Sequence, residues 1–363
     1  MSEAAAIEIC CCSGGMALGF RRAGIEFSHA FDKDPEAVAS YEANLGHRPI
    51  LIDVHDLLRM LERRSVFIPG AVDLIVADPP CVPWSTAGLQ KGLDDERDCL
   101  RPIIEIVKIL RPRAFLLGNV PGLEHANSQS ALRDTVGSLS YLGYCVDEAV
   151  FDCADYGVPQ HRVRPFWFCH TGSTCLSWPL PTHGPPSRQQ SLLGTELLPW
   201  VTCRAALESL PVEEIGKLRR LKPQLPSDKG GGHPWSRADE PARAITARKD
   251  AGHGGGDVLE WPWDRPATTV SSIATIAQPG RTGRGNRAKP YHSANAIVLS
   301  ERARLRLQGF PDDWKLLGKS KGSRNAMLGM AMPPPLAEAI GRSIANWLQH
   351  TSAAKPRQVA GRR

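Results

Sequence analysis

The first 170 residues alternate between short apolar runs and longer stretches whose apolar residues recur at helical spacing. The apolar runs predict strands at residues 6–9, 27–31, 73–77 and 114–117. The last two runs are unbroken, which is typical of parallel strands buried on both faces. The helical spacing predicts helices at about residues 16–23, 35–44 and 103–110. Strands that alternate with helices predict a doubly wound α/β sheet.

The composition changes after His170, and clear spacing is lost. Residues 171–290 are rich in Pro, Gly, Arg and Trp, and a helical pattern returns only near the end of the chain. We therefore predict a large domain, a smaller irregular domain and a basic flexible tail, which comprise residues 1–170 plus 322–350, residues 171–321 and residues 351–363.

Composition narrows the classes of protein to consider. With 363 residues, 42% of them hydrophobic and 23% charged, the chain has a globular composition. It has no apolar run of about 18 residues and no secretory signal, so we expect no membrane span and a cytoplasmic location. The ten cysteines are then expected to be reduced thiols, and without a CxxC pair no metal site is predicted. The net charge of +6 permits a polyanionic partner.

A glycine turn follows the first predicted strand. Gly14 and Gly15 stand between that strand and the first helix, where backbone N–H groups can approach a ligand. Asp32 ends the next strand and is placed to bind ribose hydroxyls, and Asp53 follows a third apolar run. Glycines also serve simple turns, but the turn and the acidic strand end together favour a nucleoside cofactor.

The loop after the strand at 73–77 carries the strongest chemical signal. It reads DPPCVPWS from Asp78 to Ser85 and lies at the carboxyl end of a strand, where open α/β sheets bind their ligands. The prolines stiffen the loop, and the thiol of Cys81 is a candidate nucleophile. A lone cysteine more often packs in the core, and only the flanking residues favour the nucleophile.

A basic cluster lies in the irregular region. Arg281, Arg284 and Arg287 stand among glycines, which is the composition of a loop that contacts phosphates. The alternative is an ordinary solvated loop.

Motifs spread in order over nearly the whole chain resemble those of the DNA cytosine-5 methyltransferases. The matching stretches are residues 13–20 (SGGMALGF), 79–81 (PPC), 119–120 (NV), 156–164 (YGVPQHRVR), 307–311 (LQGFP) and 329–335. They are similar, in that order, to the family's cofactor motif, nucleophile motif, Glu-Asn-Val motif, Gln-x-Arg-x-Arg motif and two closing motifs.

The resemblance implies a fold and a reaction. The fold would be a Rossmann-like S-adenosylmethionine-dependent methyltransferase domain with a smaller target-recognition domain, and double-stranded DNA would bind between them. The target cytosine would be flipped out of the duplex. The thiolate of Cys81 would add to its C6, and Arg162 and Arg164 would hold the base and its phosphates. Both arginines could instead form ordinary salt bridges.

The resemblance also implies the remaining site residues. Besides Cys81, Arg162 and Arg164, the catalytic positions that the resemblance implies are Asn119 and Gly118. The cofactor would contact Cys10, Ser13, Gly14, Gly15, Met16, Asp32, Lys33, Asp53, Val54, Asp78, Pro80, Leu100 and Met330. The DNA would contact Ser85, Gln90 and Arg97 in a mobile loop, and Arg281, Arg284 and Arg287 in the small domain. We expect a monomer near the nucleoid, with a cognate restriction or defence system.

Several positions depart from the family pattern. Gly118 stands where the family has the glutamate that protonates cytosine N3, and general acids contribute about 10²–10⁴-fold to rates. Cys10 replaces an aromatic residue, Cys12 a glycine, Met327 a glutamine and Met330 an asparagine.

These departures leave three readings open. The first is a DNA cytosine-5 methyltransferase in which another group or water replaces the missing acid. The second is a DNA-binding member that is weakly active or inactive. The third is a relative that makes a different modification at cytosine C5.

Overall fold

The computed structural model describes residues 5–65, 71–80, 98–118, 136–185, 196–219, 275–277 and 296–351. Its strands are β1 (Ala6–Ile9), β2 (Phe27–Asp32), β3 (Ile50–Leu51), β4 (Leu74–Ala77), β5 (Ala114–Gly118), β6 (Cys145–Asp152), β7 (Val163–His170), β8 (His183–Gly184), β9 (Leu198–Pro199), β10 (Gly216–Arg219), β11 (Thr275–Ala277) and β12 (Ala296–Leu299). Its helices are α1 (Gly15–Arg22), α2 (Pro35–Leu45), α3 (Val54–Glu62), α4 (Leu100–Leu110), α5 (Cys203–Leu207), α6 (Val212–Ile215), α7 (Glu301–Leu307), α8 (Lys321–Met330) and α9 (Pro334–His350). Short 3-10 helices cover Ser138–Leu142 and Cys153–Tyr156.

A seven-stranded sheet forms the centre of the molecule. Its strand order is β3-β2-β1-β4-β5-β7-β6. The pairs from β3 to β5 are parallel, and β7 runs antiparallel to both of its neighbours. The predicted doubly wound α/β sheet is confirmed.

The parallel strands are covered on both faces, as their unbroken apolar sequences predict. Leu74 and Val76 of β4 belong to the core on the side of α1 and α9, whereas Ile75 and Ala77 belong to the core on the side of α3 and α4. Successive side chains of a strand point to opposite faces, so every position of β4 is buried and must be apolar.

Helix boundaries follow local capping signals. The side chain of Asp34 accepts a hydrogen bond from the N–H of Glu36 before α2, and that of Asp53 accepts one from His55 before α3. Helix α4 begins at Leu100, three residues earlier than the spacing predicted, because Asp98 accepts the N–H of Leu100 at 3.0 Å.

Two smaller sheets lie outside the central one. Strands β10, β12 and β11 form an antiparallel sheet in that order, and β8 pairs with β9. These strands belong to the region predicted as the small domain, and the domain boundaries stay a prediction. Within the part of the chain that the structure describes, no helix has both the length and the apolar character needed to cross a membrane.

Candidate active site

The site lies where the strand order reverses. Strand β1 has β2 on one side and β4 on the other, so the helices that follow these strands cover opposite faces of the sheet. The carboxyl ends at such a reversal form a crevice that binds ligands in open α/β sheets. Cys10, Asp32, Asp78 and Gly118 stand at the carboxyl ends of β1, β2, β4 and β5, which is the edge that the sequence predicted.

The turn between β1 and α1 has three residues in the left-handed backbone region. Their φ angles are 60° at Cys10, 49° at Cys12 and 92° at Gly14. A non-glycine residue pays about 1–2 kcal/mol for this conformation, which explains why glycine suits position 12. The N–H of Cys12 donates to Oδ2 of Asp32 at 2.8 Å and holds the turn against the end of β2.

The glycines of this turn are required by contacts within the protein. A Cβ atom on Gly15 would lie 2.2 Å from the carbonyl oxygen of Met332, and one on Gly14 would lie 2.7 Å from Leu45. Met16 is buried in the core below them. The sequence predicted that backbone at this turn approaches a ligand closely. The structure shows a close approach of Gly14 and Gly15 to other parts of the protein. Contacts of Gly14, Gly15 and Met16 with the cofactor stay a prediction.

Asp32 ends β2, and Asp53 is the N-cap of α3. The two oxygens of Asp32 accept the N–H groups of Cys12 and Asp34, and burial raises the pKa of this carboxyl group. Oδ2 of Asp53 lies 3.3 Å from Nζ of Lys33. Burial raises the pKa of Asp53, but the N–H of His55 and the ammonium of Lys33 outweigh it and hold the pKa below its usual value.

A pair of thiols lies at the end of β1, where Cys10 stands at the position that the resemblance assigns to an aromatic residue. The side chains of Cys10 and Cys99 hydrogen-bond to each other, which raises the pKa of Cys10 and lowers that of Cys99. Leu100 and Val54, the first residues of α4 and α3, are buried beside this pair in the same core.

The remaining predicted cofactor residues differ in exposure. Pro80 is exposed, and Met330, the last residue of α8, is 49% exposed. Ser13 is fully buried, and its hydroxyl group has no hydrogen-bond partner of good geometry in the described part of the chain.

Glu8 was missed by the sequence analysis. It is 2% exposed on the same face of β1 as Ala6, and burial, Asp32 and Asp78 all raise its pKa. A single glutamate inside the apolar run AIEI was the available signal.

These residues fit S-adenosylmethionine. The carboxyl groups of Glu8 and Asp32 lie close enough together at the end of β1 for Asp32 to raise the pKa of Glu8. Such a concentration of carboxyl groups suits a ligand that carries a sulfonium and an ammonium charge. The buried hydroxyl of Ser13, in the turn after β1, and the thiols near Lys33 and Asp53 are further polar groups close to the end of β1.

The other half of the site holds two buried arginines. Arg162 and Arg164 are 4% and 3% exposed, and both act electrostatically on Asp78. Nη2 of Arg162 donates to the carbonyl oxygen of Gly329 at 2.8 Å. Its Nε and Nη1 and the Nε of Arg164 are buried with no partner in the described ranges. Burial and Arg164 lower the pKa of Arg162 to about 9.

Unpaired buried guanidinium groups are costly, so their donors point to a ligand that supplies acceptors. Both motif arginines thus lie near Asp78, which adjoins Gly118, and their role in holding the base stays a prediction.

Several predicted residues lie outside the described part of the chain. They are Cys81, Asn119, Ser85, Gln90, Arg97, Arg281, Arg284 and Arg287. Their roles stay predictions.

Comparison with known proteins gives one family. The profile of C-5 cytosine-specific DNA methylases matches residues 4–346. The Type II methyltransferase M.NgoMIV of Neisseria gonorrhoeae is 29% identical over 344 residues, which cover 93% of this chain and 96% of that protein. The Type II methyltransferase M.NaeI of Lentzea aerocolonigenes is 28% identical over 371 residues, which cover 99% and 79%. The crystal structure of the S. pombe Dnmt2 methyltransferase has the same fold, with a TM-score of 0.60, 14% identity, and coverage of 95% of this chain and 98% of that one.

Proposed function

The chain belongs to the C-5 cytosine-specific DNA methylase family, and we propose that it methylates C5 of cytosine in duplex DNA. The observation that carries this proposal is the pair of buried arginines, which act electrostatically on Asp78 and keep three donor atoms without a partner in the described part of the chain. A flipped base with its phosphates provides the acceptors that these guanidinium groups lack.

S-Adenosylmethionine is the cofactor and supplies the methyl group. Asp32 is placed to accept hydrogen bonds from ribose hydroxyls, because it ends the strand next to β1. Asp53 and the thiols of Cys10 and Cys99 would border the adenine end of the cofactor. A thiol fills less space than an aromatic ring, so this chain would hold adenine with a smaller apolar contact than the family pattern implies.

Cys81 is the nucleophile in this proposal. Its thiolate bonds to C6 of the flipped cytosine, and C5 thereby becomes nucleophilic. After methyl transfer a base removes the C5 proton, the bond between sulfur and C6 breaks, and the thiolate is released. Arg162 and Arg164 orient the base through these steps.

The two alternatives to methylation are less favoured. A protein that only binds DNA does not need two buried arginines next to a cofactor crevice, and this chain retains both. A different modification at C5 would need a donor other than S-adenosylmethionine, whereas the carboxyl groups of the crevice suit a cationic donor such as S-adenosylmethionine.

Further proposals concern DNA and cellular context. Ser85, Gln90 and Arg97 would contact DNA from the loop that closes on it, and Arg281, Arg284 and Arg287 from the small domain at residues 171–321. We propose that the protein works as a cytoplasmic monomer at the nucleoid, beside a cognate restriction or defence system.

The direct test is incubation of the protein with S-adenosylmethionine and plasmid DNA from a strain that lacks cytosine methylation. Mass spectrometry of the digested nucleosides is expected to show 5-methyl-2′-deoxycytidine. Cofactor binding without any modified cytosine on plasmid or genomic DNA would contradict the proposal. A cytosine product of another mass would support the alternative modification.

Asp53→Ala is expected to weaken cofactor binding about tenfold and to lower the free energy of unfolding by about 1 kcal/mol, because Asp53 also caps α3. Calorimetric titration with S-adenosylmethionine and urea unfolding measure the two effects. Thr202→Ala is the matched control, since Thr202 caps α5 away from the crevice. It should lose comparable stability with an unchanged Kd. If the two variants bind S-adenosylmethionine with equal Kd values, the role of Asp53 is only to cap α3.

A further inference from the structure

Asp78 and Gly118 lie side by side at the carboxyl edge of the sheet. Ala77 pairs with Leu117 in the parallel register of β4 and β5, so Asp78 and Gly118 are the next residues along the two neighbouring strands. A Cβ atom at position 118 would lie 3.3 Å from Oδ1 of Asp78. The carboxyl group of Asp78 therefore borders the space that a side chain at position 118 would enter.

The surroundings of this carboxyl group combine an aromatic ring with two cations. Phe166 pairs with Gly118 across β5 and β7, and its Cε1 would lie 3.0 Å from a Cβ at position 118. Arg164 is two residues from Phe166 on the same face of β7. Burial raises the pKa of Asp78, and Arg164 and Arg162 oppose this only in part. More of this carboxyl group is protonated near neutral pH than of an exposed aspartate.

Addition of a thiolate to cytosine needs an acid at N3. As sulfur bonds to C6, the C5–C6 π pair shifts to form a double bond between C5 and C4, and the C4–N3 π pair moves onto N3. That nitrogen then takes a proton. When elimination breaks the bond between sulfur and C6, the electrons return and N3 releases the proton. An acid positioned at N3 therefore lowers the barrier in both directions.

Resting on the proposed function, we infer that Asp78 is the general acid for N3 of the flipped cytosine and supplies the carboxyl group that position 118 lacks. Its carboxylic acid donates the proton as Cys81 adds, and the resulting carboxylate takes the proton back on elimination. This role differs from the cofactor contact that the resemblance implied for Asp78.

The other two carboxyl groups of the crevice are less suited to this role. Asp32 uses one oxygen for the N–H of Cys12 and the other for the N–H of Asp34. Glu8 lies within β1, one residue before its end, and faces Tyr41. Asp78 alone among these three follows its strand and adjoins both arginines and Gly118.

The test compares four variants of the full-length protein under single-turnover conditions on unmethylated plasmid DNA. They are Asp78→Asn, Asp78→Ala, the double variant Asp78→Ala with Gly118→Glu, and Asp73→Asn. Asp73 is the matched control because it precedes β4 at the opposite edge, where it accepts the N–H of Ala5. Wild-type methylation establishes the proposed function independently of the variants.

We expect Asp78→Asn to lower the methylation rate by about 10²-fold or more, with an unchanged Kd for S-adenosylmethionine. The wild-type rate should fall as the pH rises through the pKa of Asp78, and Asp78→Asn should remove this fall. The double variant should recover at least tenfold over Asp78→Ala, because the new glutamate can use the space vacated by the Asp78 carboxyl group once the ring of Phe166 shifts by a few tenths of an ångström. Asp73→Asn should keep the wild-type rate.

A rate within threefold of wild type for Asp78→Asn would overturn the inference while the proposed function stands. The inference would also be overturned if Asp78→Asn lowered the methylation rate only in proportion to a higher Kd for S-adenosylmethionine, because Asp78 would then act on cofactor binding. If neither single variant at position 78 folds, the double variant is the test. A methylation rate of the double variant below about 1% of the wild-type rate would then overturn the inference. Absence of methylation by the wild-type protein would overturn the proposed function itself.

Discussion

Cys81→Ser is expected to lower methyl transfer by about 10⁴-fold or more while cofactor and DNA binding persist. The serine hydroxyl is close to the thiol in size but is almost never ionised near pH 7, so it cannot add to C6. Transfer of tritium from labelled S-adenosylmethionine to DNA measures the rate. DNA that contains 5-fluorocytosine adds a second readout: fluorine replaces the C5 proton and cannot be abstracted as a cation, so elimination is blocked and the covalent complex persists.

The control for this variant is Cys145→Ser, at an exposed cysteine of β6. It should methylate at the wild-type rate and form the covalent complex with fluorinated DNA. More than about 1% of wild-type transfer by Cys81→Ser would mean that another group is the nucleophile.

Arg164→Met is expected to lower kcat/KM by about 10²-fold or more without lowering the free energy of unfolding. The Nε of Arg164 is buried without a partner in the described ranges, so the folded protein gains little from this charge in the absence of a ligand. In the complex, the guanidinium group would supply charge-assisted hydrogen bonds to the base and its phosphates. Methylation kinetics and urea unfolding measure the two quantities.

Arg113→Met is the control for Arg164→Met, because it is expected to change stability and not activity. Arg113 donates to the carbonyl oxygen of Leu348 at 3.1 Å and lies 3.6 Å from Asp73, at the amino end of the strands. Its loss should reduce the free energy of unfolding by about 2 kcal/mol and leave kcat/KM near the wild-type value. If Arg164→Met destabilised the protein as much as Arg113→Met does and kept its activity, Arg164 would be a structural residue.

The elements of the sheet were predictable because their signals are local. Burial on both faces of β4 and β5 requires unbroken apolar runs, and these were visible at 73–77 and 114–117. The start of α4 was misplaced because Asp98, whose side chain accepts the N–H of Leu100 just before the helix, lies outside the apolar repeat that marks the helix. Cys12 was recognised as a departure from the family, but only the φ angle of 49° shows why glycine suits that position.

The sequence by itself determined which motifs the chain carries and in what order, and therefore the family, the cofactor and the candidate thiol. Those signals depend on residues close together along the chain. The sequence also showed that position 118 has no carboxyl group. Only the tertiary structure placed the carboxyl group of Asp78 beside that position, with Arg162 and Arg164 around it. The physical reason is strand register, since the pairing of Ala77 with Leu117 brings residues from separate strands to one edge of the sheet.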